Sequence, residues 1–199
     1  MRTRLFAITL LFFCLFGAFF GAPARADGDL TPSSSLALRF QAAKSRVPAP
    51  SVVFQAENGR ETTLKDLLAG IPPKGGLLLN IWATWCQPCV RELPALDALS
   101  AAGGSDLKIA TLAEEKESAA VRAFFQRHGL AHLPIYIDPE GDARRLLGVR
   151  WFPVTILFDA QGREIGRVSG VPDWTAPEAR AFLEREMAEG PIQASRPLP

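Results

Sequence analysis

Residues 77–82 read LLLNIW and run directly into ATWCQPC, so an apolar stretch ends in two cysteines two residues apart. The length of the stretch, and the loop-forming IPPKGG before it, favour a buried strand. After Cys86 the period changes. Val90, Leu93, Leu96 and Leu99 recur at helical spacing around Pro94, which predicts a helix with a kink. A buried strand that turns straight into a helix belongs to an α/β sheet. The cysteines stand at the junction, where functional groups of open α/β sheets collect.

The rest of the chain fits that class. VVFQA from Val52 predicts a strand, Asn58-Gly59 a turn, and Thr62 or Thr63 the cap of a short helix ending at Leu68. LKIATL (107–112) predicts a second inner strand, and Ser118–His128 a helix burying Val121, Phe124 and Phe125. Leu133–Ile137 is a short extended segment, and DPEGDARRLLG a helix capped by Asp138 and ended by Gly148. VTILFD (154–159) and REIGRVSG form a hairpin about Ala160-Gln161-Gly162. Thr175 opens a last helix, with Glu178 three residues on completing a capping box. The expectation is a mixed sheet flanked by helices on both faces. From its residues the ordered domain is expected to start near Val52. Residues 27–47, rich in Ser, Pro, Ala and Gly, read as a linker with at most one short helical turn, and 189–199 as a frayed tail.

The first 26 residues stand apart. Arg2 and Arg4 precede a long apolar stretch that ends in Ala24-Arg25-Ala26 and the polar Asp27-Gly28-Asp29, the layout of a secretory signal peptide. The stretch is long enough that an uncleaved N-terminal anchor is the rival reading. Either places the domain outside the cytoplasm. Cys14 lies inside it and reads as a bulk apolar residue. Cleavage after Ala26 removes three arginines and no acids, taking the formal net charge from +1 to −2. No basic run remains, so nucleic acid is not an expected partner.

A CxxC pair can staple a fold, hold a metal or exchange electrons. As a staple it closes a very small loop and removes little unfolded-state entropy. As a structural zinc site it lacks two ligands: beyond Cys86 and Cys89 the mature chain offers only His128 and His132, four apart on a different segment. A tertiary metal site stays open, but solvated or capping imidazoles are the simpler reading, and neither metal nor cofactor is expected. Redox exchange fits best. A helix start presents free N–H groups and the positive end of the dipole, which favour a thiolate. Cys86 is therefore the expected attacking thiol, and Cys89, one turn in, the resolving one. Pro88 takes an early helical position, where proline is tolerated. Trp82 is expected in the core and Trp85 in a partly exposed wall.

Residues 77–97, LLLNIWATWCQPCVRELPALD, resemble the thioredoxin superfamily, and within it the extracytoplasmic TlpA/ResA/CcmG-like reductases. The likeness extends over about 48–188 and implies a thioredoxin-like fold with an N-terminal extension. It implies that Pro94 kinks the active-site helix and that Glu92 is the acidic residue these proteins keep near the cysteines. Helix geometry agrees, since positions 89 and 92 are three apart and share a face; the alternative reading is a solvated surface glutamate. Asn80 stands where thioredoxin itself has a buried aspartate, which moves weight to Glu92. In GVRWFPVTILFD, Phe152-Pro153 resembles the cis-proline loop that faces the CxxC; read alone, Pro153 is simply a proline before a strand. Trp85, Gln87, Pro88 and Phe152 would then contact the client protein.

The implied activity is thiol:disulfide reduction in the periplasm. A disulfide-donating oxidase and a copper-handling adaptor are the alternatives. The resemblance implies a membrane thiol transporter of the DsbD/CcdA kind as electron donor. Implied clients are copper-site cysteines of cytochrome oxidase, or apocytochrome c in cytochrome c maturation, or, for a general periplasmic disulfide oxidoreductase, periplasmic proteins at large. GVPDWTAPEA and ALDAL look most like TlpA, the oxidase-assembly branch. A monomer is the default expectation.

Overall fold

The computed structural model describes residues 35–104 and 106–188; the signal or anchor segment and the tail beyond 188 lie outside them. The elements run α1 (Ser35–Arg39), β1 (Phe40–Ala42), β2 (Val53–Ala56), β3 (Glu61–Thr63), α2 (Leu64–Leu68), β4 (Gly76–Trp82), α3 (Gln87–Ala101), β5 (Leu107–Ala113), α4 (Ser118–His128), β6 (Ile135–Ile137), α5 (Asp142–Leu146), β7 (Val154–Asp159), β8 (Glu164–Ser169) and α6 (Ala179–Ala188). All eight strands join one mixed sheet in the order β1-β8-β7-β4-β5-β6-β2-β3. β4 lies inside it, parallel to β5 and antiparallel to β7.

Every one of the seven residues of β4 is buried, which matches a strand covered on both faces. Alternation sorts them. Leu78 and Trp82 point into the core beneath α3, α4 and α6. Leu77, Leu79 and Ile81 point into the opposite core, with Leu64 and Leu67 of α2 and Ala143 of α5. Trp82 packs on Phe124 and Phe125 of α4, ring centroids 5.1 and 5.9 Å away. Asn80 shares the face of Leu78 and Trp82, so a polar side chain is carried into the core beneath α3.

The sequence reading holds for the strand 77–82, the helix 118–128 and the strand 154–159, and Pro94 lies within α3. Thr63 caps α2 with a complete capping box to Asp66. Four local readings change. Residues 35–42, expected in the linker, belong to the fold: Leu36 is fully buried, and Phe40, Gln41 and Ala42 pair with Val168, Arg167 and Gly166 of β8. Glu61–Thr63, expected only as turn and cap, pairs with β2. The cap of α5 is Gly141, not Asp138, whose carboxylate instead accepts from the Arg144 N–H at 2.8 Å. The capping box at Thr175 does not form. Thr175 donates its N–H and hydroxyl to Asp173 Oδ1 (2.9 and 2.6 Å), and α6 begins at Ala179.

Leu93 is fully buried on the inner face of α3. Leu93→Ala should lower unfolding stability by about 2–5 kcal/mol, measured as a lower urea midpoint with an unchanged slope; a loss below about 1 kcal/mol would mean the site collapses around the smaller side chain.

Candidate active site

β4 ends at Trp82, and Ala83, Thr84 and Trp85 lead into α3. Glu115, just past β5, holds this turn: its Oε1 accepts the Thr84 N–H at 2.9 Å and also the Thr84 hydroxyl. Cys86 is the N-cap of α3, with extended backbone (φ −83°, ψ 95°), and its sulfur accepts the Cys89 N–H at 3.3 Å. The sulfur thus occupies the capping position normally taken by a side-chain oxygen. Cys86 and Cys89 are joined in a disulfide, with their Cα atoms 5.3 Å apart. Cys89 is fully buried and Cys86 is 5% exposed, whereas Gln87 and Pro88 lie on the surface and Trp85 is 66% exposed.

The second wall comes from the loop before β7. The Phe152-Pro153 peptide is cis. Phe152 packs on Trp85 with ring centroids 5.5 Å apart, bringing this loop beside the cysteine turn. Arg144 braces it from α5. Its guanidinium lies 5.7 Å above the Phe152 ring, donates to the Val149 carbonyl at 2.8 Å and pairs with Glu114. Glu114 and Glu115, adjacent in the chain, therefore support opposite sides of the site. Trp151, the residue before Phe152 in the chain, is 63% exposed, a large aromatic that the sequence reading did not single out.

Glu92 is not a solvated glutamate. It is 1% exposed, on the face of α3 that it shares with Cys89. Asn80 Nδ2 donates to its Oε1 at 2.7 Å and also contacts Thr155 Oγ1 at 2.9 Å, across the registered β4–β7 pair. Trp174 Nε1 donates to Oε2 at 3.1 Å. Burial pushes the Glu92 carboxyl up to about 7, against the lowering effect of the Trp174 and Asn80 donors. Asn80 Oδ1 is buried with no hydrogen-bond partner among the described residues. Trp174 lay within a stretch noted for its likeness to TlpA, but nothing local in the sequence joins it to a glutamate 82 positions earlier.

The histidines do not approach the cysteines as ligands. His132 Nδ1 lies 2.9 Å from Asp97 Oδ2, and Asp97 Oδ1 accepts the His132 and Leu133 N–H groups, tying α3 to the start of β6. Burial alone would raise the Asp97 pKa. The hydrogen bonds and charge of His132 outweigh it and hold the carboxyl below its usual value. His128 stacks on Phe124, centroids 4.2 Å apart. Among the described residues no cluster of His, Cys, Asp and Glu side chains is arranged to hold a metal, and no helix is long and apolar enough to cross a membrane.

A cysteine pair capping the helix after a central strand, flanked by a cis-proline loop and underlain by a buried acid, defines a thioredoxin-like thiol:disulfide oxidoreductase. Comparison with known proteins agrees. The family model described as Redoxin matches residues 43–183. Thiol-disulfide oxidoreductase ResA of Bacillus thuringiensis subsp. konkukian is 32% identical over 139 residues, covering 69% of this chain and 75% of its own. The ResA of Geobacillus thermodenitrificans is 34% identical over 139 residues, covering 68% and 74%. Among solved structures, the exposed lipoprotein thioredoxin Etrx1 of Streptococcus pneumoniae (TM-score 0.56, 22% identity, 68% of this chain and 99% of its own) shares the fold. So does StoA of Bacillus subtilis (0.53, 20%, 71% and 98%). The chain belongs to the Redoxin family, within the thioredoxin superfamily, among the ResA/CcmG-like thiol:disulfide oxidoreductases.

The raised Glu92 pKa sets a pH dependence of stability. Between its ordinary 4.5 and about 7 the folded protein holds a proton that the unfolded chain has released. This contribution is complete below pH 4.5 and is lost as pH rises through about 7. Glu92→Gln should flatten the slope of urea midpoint against pH over that window; equal slopes in variant and parent would show that burial does not hold the proton.

Proposed function

We propose that the protein is a thiol:disulfide reductase of the periplasm, with Cys86 as nucleophile, Cys89 as resolving thiol and Glu92 as the carrier of the Cys89 proton. The observation that carries this reading is the pairing of a fully buried Cys89 with a buried, ionisable carboxyl one turn further along the same helix. A buried thiol cannot lose its proton to bulk water, and a carboxylate poised near neutral pH is matched to take it.

In the reduced protein the Cys86 thiolate, favoured by the free N–H groups at the start of α3, attacks one sulfur of a client disulfide. A bond forms between Cys86 and that sulfur; the client's other sulfur leaves as a thiolate and takes a proton from solvent. Cys89 gives its proton to Glu92, and its thiolate attacks the Cys86 sulfur. The Cys86–Cys89 disulfide forms, the second client thiolate departs, and two electrons have passed to the client. The cis Phe152-Pro153 peptide, with Trp85, Gln87, Pro88 and Phe152, offers the client's extended backbone and apolar side chains a surface beside the sulfurs. A membrane thiol transporter of the DsbD/CcdA kind would restore the dithiol. The copper-site cysteines of cytochrome oxidase are the favoured client, on the likeness of GVPDWTAPEA and ALDAL to TlpA, with apocytochrome c the alternative.

Cys89→Ser should accumulate a mixed disulfide through Cys86 in cells, seen on non-reducing gels and identified by mass spectrometry of the adduct. Trapping by Cys86→Ser in its place would reverse the two roles. The measured reduction potential should lie well below the ~−120 mV of a strong oxidant; a value there would overturn the direction of transfer.

A further inference from the structure

The Glu92 carboxyl is held by two N–H donors of different kinds. Indole nitrogen is a donor only, whereas an asparagine side chain presents a donor and an acceptor, and a threonine hydroxyl can play either part. Trp174 can therefore serve only the unprotonated oxygen, Oε2, at 3.1 Å. On the other side, Asn80 Oδ1 is buried and unpartnered, while Asn80 Nδ2 is shared between Glu92 Oε1 and Thr155 Oγ1. A free acceptor on the same amide that donates to Oε1 matches an oxygen that receives a proton: a half-turn of the Asn80 amide would face Oδ1 to a Glu92 O–H, with the Thr155 hydroxyl turning from acceptor to donor. Among the described residues the side chains bonded to Glu92 are neutral: Asn80 from β4, itself bonded to Thr155 of β7, and Trp174 from the loop after β8; Cys89 lies three residues earlier on its own helix.

Trp174 is itself fixed. It is 1% exposed; Asp173, before it, receives the N–H and hydroxyl of Thr175 and donates its own N–H to Ser35 Oγ of α1 at 2.7 Å. The loop that presents the indole is thereby tied to the N-terminal helix.

We infer that Trp174 is a positioning residue for the exchange reaction: its indole N–H fixes Oε2 as the accepting oxygen of Glu92 and leaves Oε1, on the Asn80 side, as the oxygen that takes the Cys89 proton. This rests on the proposed role of Glu92, and the two are separable by experiment. In the full-length protein labelled at glutamate side-chain carbons, Trp174→Phe, which keeps the ring and removes the donor, should move the Glu92 titration midpoint upward by about one pH unit. The pH profile of exchange with a small disulfide should move with it. The parent's Trp174 indole N–H resonance should follow the same titration and lose its pH dependence in Glu92→Gln. An unmoved midpoint in folded Trp174→Phe overturns the inference, as does an indole resonance that ignores Glu92. A profile shift from Trp174→Phe that persists in the Glu92→Gln background overturns it too. If Glu92→Gln leaves the exchange profile unchanged, the proposed role of Glu92 falls, even where the titrations of Trp174 and Glu92 remain linked.

Discussion

The active end of the molecule depends on the burial of β4 along its whole length. A strand hydrogen-bonded on both sides and covered on both faces has no freedom in register or direction, and its last residue delivers the chain to one place. The turn 83–85 and the start of α3 follow from that. So does the position of Cys86, whose sulfur takes the capping site of the helix. The same constraint brings Asn80 into the core, where a polar side chain needs partners. Glu92 from α3 and Thr155 from β7 supply them.

Burying a carboxyl without a cation is costly when it is charged. Among the described residues no arginine or lysine forms an ion pair with Glu92; its bonded partners are the neutral donors Asn80 and Trp174, and its pKa stands at about 7. Asp97 on the same helix shows the opposite outcome. Histidine and backbone donors hold it ionised, and it serves to dock α3 against the start of β6. Two buried acids five residues apart thus differ in character because of what they meet.

Much of this was legible in the chain. β4, α4 and β7 are long, strongly patterned elements whose period identifies them without their neighbours, and the strand-to-helix switch located the cysteines. Elements whose existence depends on a distant partner were not. β1 has three residues and forms because β8 offers an edge; Leu36 and Phe40 look like scattered apolar residues in a linker until Phe182 of α6 is seen against Phe40, ring centroids 5.3 Å apart. Thr175 satisfies the capping-box pattern, but Asp173 competes for its side chain and wins at shorter range. Helical spacing puts Glu92 on the face of Cys89, but burial on a helix cannot be read from one position, and its contact with Trp174 joins residues 82 positions apart.

The pairing of β1 also bears on how the protein can be handled. Gly166 has no Cβ, and the space one would take is filled by the Phe40 ring and the Gln41 carbonyl, so strand and edge are fitted closely. A fragment begun at residue 48, where the family resemblance begins, would bare the outer side of β8. It would present a row of unsatisfied backbone donors and acceptors to any chain able to dock there. Self-association of such a fragment would be a property of the cut. The native stoichiometry has to be measured on a chain that keeps residues 35–42.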